Sequence, residues 1–404
     1  MTRVAAACVF AASATIGLFG CTAAGPSSGT AARAPVPAAS GVTASAPERD
    51  YLVFVASEAV DEIALVRFGP RGARVERRRE TGLNRADPDG PHGVAVSPDG
   101  RHYYVSTAHG TPNGHLWKYT TEGDAMVGRV ELGAFPASMQ VSPDGLYIFV
   151  VNFNLHGEMV PSSVSIVAAN EMLEIARLTT CAMPHGSRFN PTGTRHYSTC
   201  MMDEALIEID ARGLEVARHF MLTRGREHGM SGAPRSHAME TGDAMGHGMD
   251  APPAANTKCS PTWAASSGDG ASVFVACNAS SEIVEVDVAE WRVRRRIAAG
   301  QGVYNLAVTR DGRRIVATNK RGRSVSIIDV ATGKEEARIP TLRTVVHGVA
   351  ISDDDRYAFI SVEGYGAEPG TVEVIDLLAL RRVASVDVGQ MAGGIDFWKS
   401  EPAR

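Results

Sequence analysis

The sequence predicts an all-β protein, a seven-bladed β-propeller of four-stranded antiparallel blades. Three observations carry this expectation. A tight-turn motif recurs roughly every 40 to 50 residues after Tyr51, a period that marks propellers and solenoids. A run rich in β-branched and aromatic residues follows each turn. The first repeat lacks an inner strand, and a segment near the C-terminus has the pattern to supply it.

The turns are Ser97-Pro98-Asp99-Gly100, Ser142-Pro143-Asp144-Gly145, Asn190-Pro191-Thr192-Gly193, Ser267-Gly268-Asp269-Gly270, Thr309-Arg310-Asp311-Gly312 and Ser352-Asp353-Asp354-Asp355. Pro presets φ and Gly supplies the positive φ of a tight reversal. The runs that follow begin at Tyr103, Ile148, Tyr197, Val273, Ile315 and Ala358. Tyr51 to Glu80 holds three strands with no inner strand before them. Gly393-Gly394-Ile395-Asp396-Phe397 fits the inner-strand register, so residues 391–398 are expected to close the first blade and remove the exposed sheet edges. Residues 49–404 then form one domain.

Phe149-Val150-Val151-Asn152 and Val316-Ala317-Thr318-Asn319 resemble the Tyr-Val-Thr-Asn run of the YVTN family of β-propellers, and the resemblance covers nearly everything after residue 48. It implies the fold and leaves function open. Related propellers include a lactonase, the haem domain of dissimilatory nitrite reductase, a haem-biogenesis lipoprotein and passive binding scaffolds.

Residues 1–20 read as a signal peptide: an apolar stretch from Val4 to Gly20 follows Arg3 and is too short to span a bilayer. Leu18-Phe19-Gly20-Cys21 resembles the bacterial lipobox, which implies cleavage before Cys21 and acylation of its thiol. Ordinary signal cleavage and an uncleaved anchor are the alternatives. Residues 21–48, almost all Ala, Pro, Ser, Gly and Thr, read as a tether. Thr22 stands where Asp would favour inner-membrane retention, so the resemblance implies an exported lipoprotein on the periplasmic or cell-surface side, in the outer membrane of a Gram-negative host. The expected partners are that membrane and other periplasmic or outer-membrane proteins, with the chain itself a monomer. A net charge of −5 gives no basic surface for nucleic acid, which is excluded.

In a propeller the chain enters each inner strand at one rim, here called the top, and the Asp-Gly turns mark the bottom. Counting four residues back from the last inner-strand residue gives His92, Ala137, His185, Thr262, Tyr304, His347 and Gly393 as equivalent positions. Each of the three His is followed by Gly, as crowded backbones near an axis require. Three imidazoles at a channel mouth suit a metal, an axial bond to haem, or an anion. Equally, a repeated His can simply cap neighbouring strands. His92, His185, Arg188, Tyr304 and His347 form the candidate catalytic set, with His as acid or base and Arg or Tyr orienting an anionic substrate. No Gly-rich phosphate loop, His-Glu-x-x-His or Cys-x-x-Cys-His occurs.

Eight of the 14 Met and six of the 12 His fall between Cys181 and Asp250. The register sets Ser57, Thr107, Asn152, Cys200, Cys277, Thr318 and Val362 at the tops of the second strands, with Cys200 opposite His185. Cys181 and Cys259 precede the inner strands of the same two blades. In an oxidising compartment the favoured disulfides are Cys181–Cys200 and Cys259–Cys277, each within a blade, although four cysteines allow three connectivities. The competing reading is soft-metal ligation by His185, Cys200, Met201 and Met202. An insertion at residues 225–258, placed at the top rim, adds His228, Met230, His237, Met239, Met245, His247 and Met249. It resembles the Met/His-rich segments of periplasmic copper-handling proteins; the alternative is a biased loop that binds nothing. The sequence thus points to a binding or scaffold protein with a top-face copper site. The alternatives are a haem-binding or lactonase-like propeller using the channel histidines, and a scaffold without metal.

Overall fold

The computed structural model describes residues 45–82, 88–109, 113–234 and 258–404. Their strands form seven antiparallel sheets, and the innermost strand of each packs against those of its two neighbours all the way round a central axis. Six blades follow chain order outwards from inner strands Pro91–Val96, Pro136–Val141, Pro184–Phe189, Pro261–Ser266, Val303–Val308 and Val346–Ile351. These are blades 2 to 7. Blade 1 takes its inner strand, Ala392–Pro402, from the C-terminal end, and this pairs with Arg49–Ser57. The expected closure holds, and the closing strand runs on past residue 398.

The second strands are buried on both faces because a neighbouring blade covers each, which is why they read as nearly continuous apolar runs. Phe54 of blade 1 stacks on Tyr103 of blade 2 at 4.3 Å, and Phe149 of blade 3 meets Phe189 of blade 4 at 4.8 Å. At the bottom, Ser97, Ser142, Ser267, Thr309 and Ser352 each donate a hydroxyl hydrogen bond to the Asp two residues on, which fixes the turn. The two signature asparagines have a definite task. Asn152 donates to Ser163 and Ser165, and Asn319 to Ser324 and Ser326, tying second strand to third. In blade 6 the second strand ends at Asn319, so Thr318 is one residue short of the top.

Both expected disulfides are present, Cys181–Cys200 with Cα atoms 5.9 Å apart and Cys259–Cys277 at 4.4 Å. Cys181 lies in the last turn of sheet pairing of blade 3, on the strand Leu173–Ala182, so the first bond crosses to blade 4 rather than staying within a blade. The insertion also departs from expectation. After the top of Glu215–Met221 the chain doubles back as a fifth strand, His228–Ser231, on the outer edge of blade 4. Residues 235–257 lie outside the described residues, as do the signal, Cys21 and most of the tether.

One buried cation links all four strands of the closing blade. Arg67, 2% exposed on the third strand of blade 1, contacts Asp50 on the second strand at 3.0 Å, Glu76 on the fourth at 2.9 Å and Glu401 on the closing inner strand at 2.8 Å. Its hydrogen bond holds the Glu76 carboxyl below the ordinary range. That contribution is complete above the ordinary glutamate range and is lost as pH falls beneath it. Arg67→Met leaves the buried Asp50 carboxylate without its counter-charge and is expected to cost about 3–5 kcal/mol. A urea midpoint equal to that of the parent would show that the network does not hold the ring.

Candidate functional site

In all seven blades the inner strand carries one extra residue against its neighbour just below the top. In blade 4, Pro184 pairs with Cys200 and Ser187 with Ser198; blade 1 shows the same slip between Ala392 and Ile395. The corresponding shift occurs in the other five blades. Such a bulge unpairs backbone groups and re-aims a side chain. It falls at the positions occupied by His92, Ala137, His185, Thr262, Tyr304, His347 and Gly393. Cys200 is therefore opposite Pro184, and not His185 as simple hairpin counting gives.

The unpaired groups are satisfied by hydroxyls, as buried backbone demands. Ser106, Thr318 and Ser361 accept the amides of Gly93, Asn305 and Gly348. The same hydroxyls donate onward to the carbonyls of Ala137, His347 and Gly393 in the next blade. Ser138 and Thr262 likewise hold the carbonyls of His185 and Tyr304. Five of the seven ring residues are thus fixed by a neighbouring blade.

Three of the predicted residues converge directly. The Tyr304 hydroxyl is 3.1 Å from His185 Nε2 and 3.4 Å from His347 Nε2. His185 Nδ1 lies 2.7 Å from the Thr262 carbonyl, which can only accept, so Nδ1 carries the proton and Nε2 accepts from Tyr304. Burial pushes His185 down to about 3 and His347 well below the usual imidazole value, with Lys320 adding to the latter, so both rings are neutral. The His92 ring lies 5.7 Å from that of His347. His92 Nδ1 is 2.8 Å from one oxygen of Glu58, whose other oxygen is 2.7 Å from His109 Nε2. Burial pushes the Glu58 carboxyl up, but His92 and His109 outweigh it and hold it below the ordinary range. A carboxylate-oriented imidazole of this kind is equipped for general base chemistry.

Lys320 Nζ lies 4.4 Å from the centre of the Tyr304 ring and 3.3 Å from Glu363, whose carboxyl burial raises. Glu58, Lys320 and Glu363 occupy one slot, the residue just past the top of a second strand. Of their four counterparts, Ala108, Phe153 and Met201 are apolar and pack with Phe135, Ala137 and Met183, while Asn278 donates to the carbonyls of Gly302 and Val303. The mouth is therefore two-sided, ionisable on blades 6, 7, 1 and 2 and apolar toward blades 3 and 4. Sequence reasoning missed the charged slot because counting stopped at the last strand residue, and in blade 6 one position earlier still.

Among the described residues, the proposed sulfur and imidazole donors do not assemble. Cys200 is fully buried in a disulfide and has no thiolate to offer. Met201 belongs to the apolar wall, and Met202 is 56% exposed. His228 and Met230 sit on the fifth strand, four strands from His185, or roughly 19 Å at sheet spacing. Among the described residues no group of three or more His, Cys, Asp or Glu is placed to hold a metal. His237, Met239, Met245, His247 and Met249 lie outside them. Below the ring, a cavity lined by His92, His185, Arg188 and His347 offers about 30 Å³, room for about two waters. A haem does not fit inside it, and one bound by these histidines would have to lie on the top face.

His185 should remain neutral, with its proton on Nδ1, as pH is lowered through about 5. Nitrogen-detected NMR of labelled histidines reads this directly, and an imidazolium at that pH would contradict the geometry.

No protein-family model matches the sequence, and no curated protein matches it. Solved structures do. Hydrazine synthase of Kuenenia stuttgartiensis aligns with a TM-score of 0.57 at 20% identity, over 75% of this chain and 88% of that one. A functionally unknown protein from Desulfotomaculum acetoxidans gives 0.61 at 13% identity, over 86% and 99%. The periplasmic gluconolactonase of Pseudomonas aeruginosa gives 0.63 at 16%, again over 86% and 99%. At these identities the likeness is one of fold: the chain is a seven-bladed β-propeller, similar in fold to a gluconolactonase and to a hydrazine synthase alike.

Proposed function

We propose that this is an exported, membrane-tethered binding propeller whose ligand is a small hydroxylated ring, a monosaccharide or its lactone, seated at the top of the channel. The two-sided mouth carries the reading. Lys320 offers donors, Glu58 and Glu363 offer acceptors, and these lie within one wall while the opposite wall is apolar. Hydroxyl groups need donors and acceptors together, and neither a simple anion nor a purely apolar ligand does. The neighbouring fold of a gluconolactonase supports testing a lactone first. The Glu58–His92 pair would then activate water as general base.

Calorimetry and hydrolysis assays with glucono-lactone and a panel of monosaccharides test this. Glu363→Gln and Lys320→Met should each weaken binding about tenfold, the scale of one charge-assisted hydrogen bond. His92→Ala should remove hydrolysis and leave binding largely intact. Binding without hydrolysis would assign the protein as a receptor, and neither binding nor hydrolysis anywhere in the panel would sink the reading.

The outer insertion supports a second, separate capacity. His237, Met239, Met245, His247 and Met249 lie within 13 residues, a donor density suited to Cu(I), and the two disulfides are compatible with export to a compartment where such a loop would meet copper. Cys200 drops out of that donor set. In cells, Cys21→Ala should move the protein out of the membrane fraction, and deletion of residues 235–257 should remove Cu(I) binding from the purified chain. Unchanged copper binding in the deletion variant would refute the loop's role.

A further inference from the structure

We infer that the channel beneath the histidines is a binding site for a small monovalent anion of halide size, held by Arg188 and Trp263. Arg188 lies three residues beyond His185 on the same inner strand, roughly 10 Å further toward the bottom. Of the fifteen residues that line the cavity, it alone carries a fixed charge. A guanidinium does not lose its proton in a protein, and Arg188, half-buried in the channel with no ion pair among the described residues, keeps a full positive charge there. Its protein contacts are few: Nη1 donates to the Ser187 carbonyl at 2.8 Å, and the group stacks over Trp263 at 4.9 Å. Asp396 is the acid whose charge reaches it, but the Asp396 oxygens are taken by the amides of Val96 at 2.8 Å and Phe397 at 2.9 Å.

A second set of groups converges on the same space. Trp263, 6% exposed, has its indole N–H buried with no partner, and the side-chain oxygen of Asn305 and Nδ1 of His347 are also unpartnered. All three residues line the cavity. The indole ring is held in place by Gly186, where a Cβ would come within 2.3 Å of it. A strong cationic donor and a neutral N–H donor thus face a space for about two waters. That size admits chloride or bromide and excludes sulfate and larger carboxylates. The site is independent of the ligand reading for the mouth, since none of Glu58, Lys320 and Glu363 lines it.

The test uses bromide on the full chain held in sulfate buffer at constant ionic strength. Added bromide should raise the melting temperature saturably, and crystals soaked in bromide should show an anomalous peak between Arg188 and Trp263. Arg188→Met should abolish both effects. Trp263→Phe keeps the ring and removes the N–H, and should weaken bromide about tenfold. Lys320→Met, which damages the proposed mouth site, should leave bromide binding unchanged. An unsaturable response, a peak elsewhere, or an equal response in Arg188→Met would overturn the inference.

Discussion

Everything in the site depends on how closely seven inner strands crowd one axis. A Cβ at Gly93 would lie 2.1 Å from the Ala137 carbonyl, and one at Gly348 would lie 2.7 Å from the Gly393 carbonyl. Neighbouring blades meet there backbone to backbone. At this approach a regular ladder gives way to a bulge, the bulge frees amide and carbonyl groups, and hydroxyls from the second strands take them up. The bulged residue is left pointing toward the axis, and at Ala137, His185, Tyr304, His347 and Gly393 its carbonyl is clamped by a hydroxyl of the preceding blade. His92, His185, Tyr304 and His347 owe their convergence to this packing rule more than to any contact with one another.

Much of this was legible in the sequence because it is periodic. The turn copies fixed the register, and the register found the ring of histidines, both disulfides and the closing strand. Glu58, Lys320 and Glu363 obey the same period, one residue past the point where counting stopped, so they were readable in principle. The bulge was not. A one-residue slip inside a strand leaves no mark in an alternating pattern, and it alone moves Cys200 from opposite His185 to opposite Pro184. Nor could apolar spacing show that His228–Ser231 pairs as a fifth strand, since that segment is exposed and carries no buried face.

The unusual wealth of Met and His between Cys181 and Asp250 dissolves into separate roles. Met183 and Met201 fill an apolar wall, His185 joins the axial cluster, His196 is packed between Phe149 and Phe189, and His228 and Met230 lie on an outer edge. Among the described residues, what looked like one donor-rich region in the chain is spread from the axis to the rim.

Blade 1 joins residues more than 300 positions apart, since Arg49 to Ser57 pair with Ala392 to Pro402. A growing chain is made from its N-terminus, so the first three strands exist with a bare inner edge until the last repeat has been made. The contact that completes the ring is also the one of highest sequence separation, and such contacts form slowly because the chain must first lose the entropy of a very long loop. Folding of this propeller is accordingly a late, whole-chain event, and truncation anywhere before residue 392 yields an open sheet edge rather than a smaller ring.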